Sequence, residues 1–370
     1  MSPSTERIAA LVAESGRAPD DAAWRDAFRQ RFDRLRTEVN LHPAGSTAAA
    51  TFEAAANTAR TVAADCLPLG IAVVMHLYPL CVLRCVPLPW FSQANLGRAR
   101  LLHSIDSGAL ILANAGSERA NGAQAPVTLS RTRSGIRVDG TYDYVSLANV
   151  ADIVLFNAPL AGSESTMFCA ADLRRDSARI GTPRFGGSMR LSDTCSVSFD
   201  CHHVPPDRCL VVPSKSALQC MAQYQRSWCQ LLLGESHLAR IERLQELWDL
   251  PRSMEQIASF NELARLREYA LRLLDDAATP GSIESLSRVA AAMKLRISWH
   301  AQSTGAALRR RDQEAASELC YFRLQPTSDE KILQSIKAPG SPANPPQSNS
   351  APRSFHRHPK TTARTEWNSH

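Results

Sequence analysis

Apolar and polar positions divide the chain into stretches of different period. Ala22 to Arg36 and Ser46 to Ala64 are rich in Ala, Arg, Glu and Phe, with Pro43-Ala44-Gly45 as a break between them, which predicts two helices. Leu69 to Leu83 is an apolar helix that should lie at the centre of its domain. From Val127 to Val212 the pattern turns to β. Val127, Leu129 and Arg131 alternate, Ser134-Gly135 is a turn, and Ile136 to Val138 is a short strand. Asp139-Gly140 is a pair of the kind that closes hairpins. Ile153 to Phe156, Ser165 to Cys169, Ser196 to Phe199 and Cys209 to Val212 are further short strands. Such a set predicts a small antiparallel barrel.

Helical spacing returns near Ala217, with Leu231, Gly234, Leu238, Ile241, Leu244 and Trp248 on one stripe and Pro251 as the stop. Ser253 with Gln256 forms a capping-box start for a helix striped by Ile257, Phe260, Leu263, Leu266 and Leu273. After Pro280-Gly281, Ile283 to Arg311 is a third long helix and Asp312 to Leu324 a fourth, and antiparallel helices of this kind make a bundle. The expected fold is therefore α+β and multidomain: an N-terminal helical domain over 1–109, a central small β-barrel over 110–212, and a C-terminal helical bundle over 213–337. Residues 338–370 hold six prolines among Ser, Asn and Gln, and predict a disordered tail. There are no internal repeats.

A chain of 370 residues fits two or three domains. Hydrophobic residues make up 44% and charged residues 21%, a soluble, globular composition. Half of the net charge of +6 sits in the tail, on Arg353, Arg357, Lys360 and Arg364 against Glu366. The remainder is too small to argue for nucleic-acid binding. Cys66 to Phe91 is strongly apolar, but Pro68, His76, Pro79, Arg84, Pro87 and Pro89 interrupt it, which argues against a membrane span. Met1 to Asp20 is polar and unlike a signal peptide, and the ten cysteines form no CxxC pair. Reduced thiols in a cytoplasmic protein are expected. Cys201-His202-His203 with Cys209 matches no zinc spacing, so no metal is expected.

Two segments of the β region carry chemistry. The first runs Val138-Asp139-Gly140-Thr141-Tyr142-Asp143-Tyr144-Val145-Ser146-Leu147-Ala148-Asn149-Val150-Ala151-Asp152. It resembles the barrel motif of the acyl-CoA dehydrogenase family, in which a strand, an Asn/Asp-Gly turn and an aromatic–aliphatic–Ser/Thr triplet precede an Ala-Asp pair. The second is Met189-Arg190-Leu191-Ser192-Asp193-Thr194, followed by Val197, Phe199, Val204 and Pro205. It resembles the family's Arg-x-Ser-Asp-Thr loop and the strand leading to its Val-Pro exit. The resemblance spans residues 40 to 325.

The resemblance implies FAD as cofactor. Tyr144 would lie against the flavin ring, with Val145 and Ser146 at its polar edge through backbone and hydroxyl. The plainer reading makes Tyr144 a strand aromatic in the barrel core. Ile111-Leu112-Ala113-Asn114-Ala115-Gly116-Ser117-Glu118 stands where the family has Thr-Glu-x-x-x-Gly-Ser-Asp. Gly116 and Ser117 match and imply a cofactor contact at Ser117, while the Thr-Glu half is missing. Arg226, in Tyr224-Gln225-Arg226-Ser227, resembles the arginine that opens the family's C-terminal domain beside the substrate; the alternative is a solvated helix arginine.

The family reaction removes an α-proton from an acyl thioester, on CoA or a carrier protein, while hydride passes to the flavin. No Gly-Gly turn follows residue 300, and none of Glu314, Glu318, Asp329 and Glu330 is marked as the base, so no catalytic residue is assigned. Three functions follow: an acyl-thioester dehydrogenase with an unspecified electron acceptor, a flavin monooxygenase on the same scaffold that needs no such base, or a non-catalytic partner subunit. Leu286, Val289, Ala290, Met293 and Ile297 share one face of the third long helix. That face and the family's habit of pairing predict a homodimer or homotetramer.

Overall fold

The computed structural model describes residues 21–86, 93–115, 127–163, 166–185, 187–211, 215–276, 279–309 and 311–320. Ser117, Asp329, Glu330 and the 338–370 tail lie outside these residues. Four helices come first: α1 Asp21–Glu38, α2 Ala48–Asp65, α3 Leu67–Cys85 and α4 Gln93–Ser107. The Thr47 hydroxyl caps α2 by accepting the Ala50 N–H. Ala55, Ala56, Ala59 and Ala63 give α2 a shallow buried face. Gly70 of α3 sits against it so closely that a Cβ there would come 2.4 Å from the Cβ of Ala63. Among the described residues, α3 is the one helix long and apolar enough to cross a membrane, and the chain itself buries it.

Eight strands follow: β1 Leu112–Ala115, β2 Thr128–Arg131, β3 Ile136–Val145, β4 Ile153–Pro159, β5 Thr166–Asp172, β6 Ala178–Pro183, β7 Cys195–Val204 and β8 Cys209–Val211. They form one sheet in the order β6-β7-β3-β1-β4-β5-β8, with β2 also on β3, and only β1–β4 is parallel among the named pairs. The sheet curls until Phe156 of β4 lies 5.6 Å from Phe199 of β7 and 5.4 Å from Tyr142 of β3, ring centre to ring centre.

The expected closed barrel is corrected to a curled, open sheet, because β6 and β8 end it without pairing among the described strands. Closure needs two edges able to exchange ladder bonds. Here β8 has three residues, and β6 carries a register irregularity between Ile180 and Pro183, whose proline has no N–H. The Asp139-Gly140 hairpin is corrected too. β3 runs straight through the pair, and the register against β7 shifts between Val138 and Gly140. Gly140, at φ +119°, supplies the bend, and the Asp139 carboxylate accepts the Cys201 N–H at 2.8 Å.

The C-terminal helices are α5 Lys215–Leu247, α6 Met254–Asp275, α7 Pro280–Leu308 and α8 Gln313–Cys320. Ser253 and Gln256 make the reciprocal capping box at the start of α6. The α7 face of Leu286, Val289, Ala290, Met293 and Ile297 is buried inside the chain. Gly234 lets α5 close onto it, since a Cβ there would meet Ile297 Cδ1 at 2.8 Å. That face is covered within the chain itself. One buried cluster runs from Phe28 of α1 through the sheet to Leu319 of α8.

Two buried polar centres fasten the layers. Glu235 of α5 accepts Arg60 Nη1 of α2 at 3.1 Å and Arg267 Nε of α6 at 2.7 Å. His76 of α3 accepts the Leu112 N–H at Nδ1, 3.0 Å, and donates from Nε2 to the Leu41 carbonyl, 2.7 Å. The bond accepted at Nδ1 needs the neutral ring, and burial lowers its pKa from 6.5 to about 3. An unfolded chain takes up a proton below 6.5 that the folded one refuses. Stability from this group is complete above 6.5 and falls as pH drops toward 3, by about 1.4 kcal/mol per pH unit. His76→Gln keeps an acceptor and a donor but does not titrate. Urea unfolding between pH 6.5 and 4 should show a shallower decline for the variant, by about that slope, and equal slopes would refute the assignment.

Candidate functional site

The two segments singled out in the sequence meet in space. β3 ends at Val145, and the chain turns through Leu147 at φ +60°. The second segment, a 3-10 turn over Gly187–Ser192, leads through Asp193 at φ +47° into β7. Left-handed backbone costs a non-glycine residue about 1–2 kcal/mol, so both bends need outside support. They support one another: Leu147 N–H donates to the Ser192 carbonyl at 3.4 Å and Ala148 N–H to the Asp193 carbonyl at 3.2 Å.

Side chains complete the lock. The Asp193 carboxylate accepts the Asn149 N–H at 2.8 Å and the Asn149 amide at 2.6 Å. Arg29 of α1 donates to the Asn149 carbonyl at 2.7 Å, which ties the first helix to the same turn. Asp193 is buried, and desolvation raises its pKa from 3.8 to about 7 against the pull of Asn149, Arg29 and Arg25. This sign opposes that of His76, because the folded chain holds a proton on Asp193 between 3.8 and about 7 that the unfolded chain has lost.

A hydroxyl chain runs across the lock. Ser146 Oγ lies 2.9 Å from Thr194 Oγ1, which lies 2.8 Å from Ser192 Oγ. Beside it, Tyr144 is 36% exposed while Val145 is fully buried, the strand alternation putting them on opposite faces. The Tyr144 ring meets Phe185, 6.1 Å between centres and tilted by 32°. Asp143, between the two aromatic positions of β3, is held by Arg184 at 2.7 Å. Tyr144 is therefore a surface aromatic on a pinned strand end, and the reading that makes it a plain core residue does not hold.

Of the predicted site residues, Tyr144, Val145 and Ser146 are consecutive on this strand end. Val145 is a core residue whose Cα partners are Ala115 and Cys195 on either side. Ser117 lies outside the described residues. Arg226 is exposed on α5, without a hydrogen bond or ion pair among the described residues, and no contact there joins it to Tyr144. Asp312 accepts the Ala315 N–H as the cap of α8. The side chains of Glu314 and Glu318 lie outside the described residues. Cys201, His202, His203 and Cys209 do not converge on a common point: His202 bonds Ser177, His203 bonds Ser134, and Cys209 faces Cys169. Phe185, Asn149 and the pairing of Ser146 with Thr194 have no periodic signal in the sequence; Asn149 and Thr194 lie within the two segments, whereas Phe185 lies outside both.

No protein-family model matches the chain, and no curated protein sequence matches it. Solved structures do. FMN-bound TdsC of Paenibacillus sp. A11-2, a dibenzothiophene monooxygenase, is 18% identical at TM-score 0.60, over 90% of this chain and 94% of its own. KijD3 in complex with FMN and a dTDP-linked amino-keto sugar is 15% identical at TM-score 0.66, over 90% and 91%. Methanesulfinate monooxygenase MsuC of Pseudomonas fluorescens is 14% identical at TM-score 0.62, over 91% and 96%. The chain shares the fold of these proteins along nearly its whole described length.

Proposed function

We propose that this protein is a flavin-dependent oxidoreductase of the monooxygenase kind, with the strand end Tyr144-Val145-Ser146 as one wall of the flavin site. The observation that carries the reading is the Ser146–Thr194–Ser192 hydroxyl chain, locked beside an exposed Tyr144. A flavin ring asks for a flat aromatic or apolar wall with hydroxyl and backbone groups at its polar edge, and this strand end offers both.

FMN is preferred over FAD, since two of the structures named above, TdsC and KijD3, hold FMN. Monooxygenation is preferred over acyl-thioester dehydrogenation because TdsC and MsuC, which share the fold, are monooxygenases. A reduced flavin, when bound, would supply two electrons that, with two protons, let one oxygen atom of dioxygen pass to a substrate while the other leaves as water. The chain's own contribution is to hold the ring plane against Tyr144, fix the polar edge at Ser146, and keep the strand end rigid through Asp193 and Asn149. Arg226 remains a candidate for an anionic group of the substrate, the position the resemblance gives it.

The test is flavin affinity in variants. Ser146→Ala removes one hydroxyl partner, worth about 0.5–1.5 kcal/mol, so FMN affinity should fall several-fold with little change in melting temperature. Tyr144→Ala should do more, because it removes an aromatic face worth about 0.5–1.5 kcal/mol beyond its area. Unchanged affinity in both variants would remove this strand end from the site. Bleaching of bound flavin by an acyl-CoA without oxygen would favour the dehydrogenase instead.

A further inference from the structure

Cys169 and Cys209 stand directly opposite each other on the antiparallel strands β5 and β8. Cys169 Sγ donates to Cys209 Sγ at 3.7 Å. Cys169 is buried, and Cys209 is half-buried on the outermost strand of the sheet. Directly opposed residues of antiparallel strands have Cα atoms about 4.5–5.5 Å apart, inside the roughly 4.4–6.8 Å that a disulfide spans. The pair therefore lies within a disulfide's reach, with the sulfurs already 3.7 Å apart.

We propose that Cys169 and Cys209 form a covalent modification site, closing reversibly to an intrachain disulfide under hydrogen peroxide. The Cys209 thiolate attacks one peroxide oxygen, the O–O bond breaks and hydroxide leaves, so that Cys209 becomes a sulfenic acid. The Cys169 sulfur attacks that sulfur, the S–O bond breaks, and the departing hydroxide takes up the Cys169 proton as water. Two thiols lose two electrons and two protons, and one peroxide becomes two waters. The order of attack follows from access: peroxide reaches the half-buried sulfur first, and the buried one already points its S–H at it.

Closure fastens the edge. Leu210, next to Cys209, packs against the second buried cluster, which includes Leu101 of α4 and Phe168 of β5 and which Met221 of α5 also covers. A bond across β5–β8 therefore ties the sheet edge to the place where α4 and α5 rest on it, and makes that edge harder to open.

The experiment treats the full chain with dilute hydrogen peroxide, blocks free thiols with iodoacetamide, and maps the digest by mass spectrometry with and without dithiothreitol. The expected product is a Cys169–Cys209 cross-linked peptide pair that dithiothreitol releases, present in Cys201→Ser and absent in Cys209→Ser. The oxidised wild type should melt above the reduced one, with no such difference in Cys169→Ser. Alkylation of both thiols after treatment, or Cys209 advancing to sulfinic acid beside an alkylated Cys169, would overturn the proposal. The outcome does not depend on whether flavin binds.

Discussion

Glu235→Ala should destabilise the protein by about 3 kcal/mol, the size seen when one partner of a buried ion pair is removed. Glu235 is buried at the meeting of α2, α5 and α6, with Arg60 on one oxygen and Arg267 on the other. The two arginines are each about one-third exposed, so water screens them in part and the loss falls at the lower end of the range. Arg60 keeps Glu242 at 2.6 Å, and Arg267 keeps the more distant Glu53 at 3.7 Å. Glu235→Gln retains one acceptor and should lose less than Glu235→Ala. In a double-mutant cycle, removing Arg267 after Glu235 should cost less than removing it from the wild type. Urea midpoints at pH 7 measure this, and a loss under about 0.5 kcal/mol, the usual size for an exposed site, would show that the network holds nothing together.

Asp193→Ala should destabilise by about 2–4 kcal/mol, since it strands two buried donors of Asn149 at about 1–3 kcal/mol each. The upper end is moderated by the burial of the carboxyl itself, which already raises its pKa to about 7. Asp193→Asn keeps one acceptor and should lose less. The variant also frees the Ser192–Thr194 turn on which Ser146 rests, so FMN affinity should fall with stability, by more than in Ser146→Ala. Circular dichroism melting and FMN titration measure the two effects. A stable Asp193→Ala variant with wild-type affinity would mean that the lock does not position the strand end.

The sequence and the structure agree where a local pattern decides the outcome. The alanine face of α2, the continuous apolar run of α3 and the Ser253–Gln256 box of α6 each settle their element within a few residues. The short strands of the middle region were legible for the same reason. The sequence does not reveal α4, β1 and β6: α4 mixes polar and apolar residues without a clean stripe, β1 is only four residues long, and β6 is a half-exposed edge. Closure of the sheet depends on whether two distant edges meet, which no short pattern encodes. The fate of Asp139-Gly140 depended on its partner strand, which turned a hairpin signal into a bend. Tyr144, Ser146 and Thr194 all lie within the two motifs read from the sequence. The bond of Ser146 to Thr194 joins residues 48 apart, and the contact of Phe185 with Tyr144 bridges two elements, so both became visible only in three dimensions.

The Tyr144–Ser146 strand end is expected to face a flavin. The most direct measurement is a titration of the purified protein with FMN and with FAD, followed by quenching of flavin fluorescence at pH 7. FMN should bind saturably, more tightly than FAD, and more weakly in Ser146→Ala. Absence of saturable binding by either flavin to a protein that melts cooperatively would contradict it.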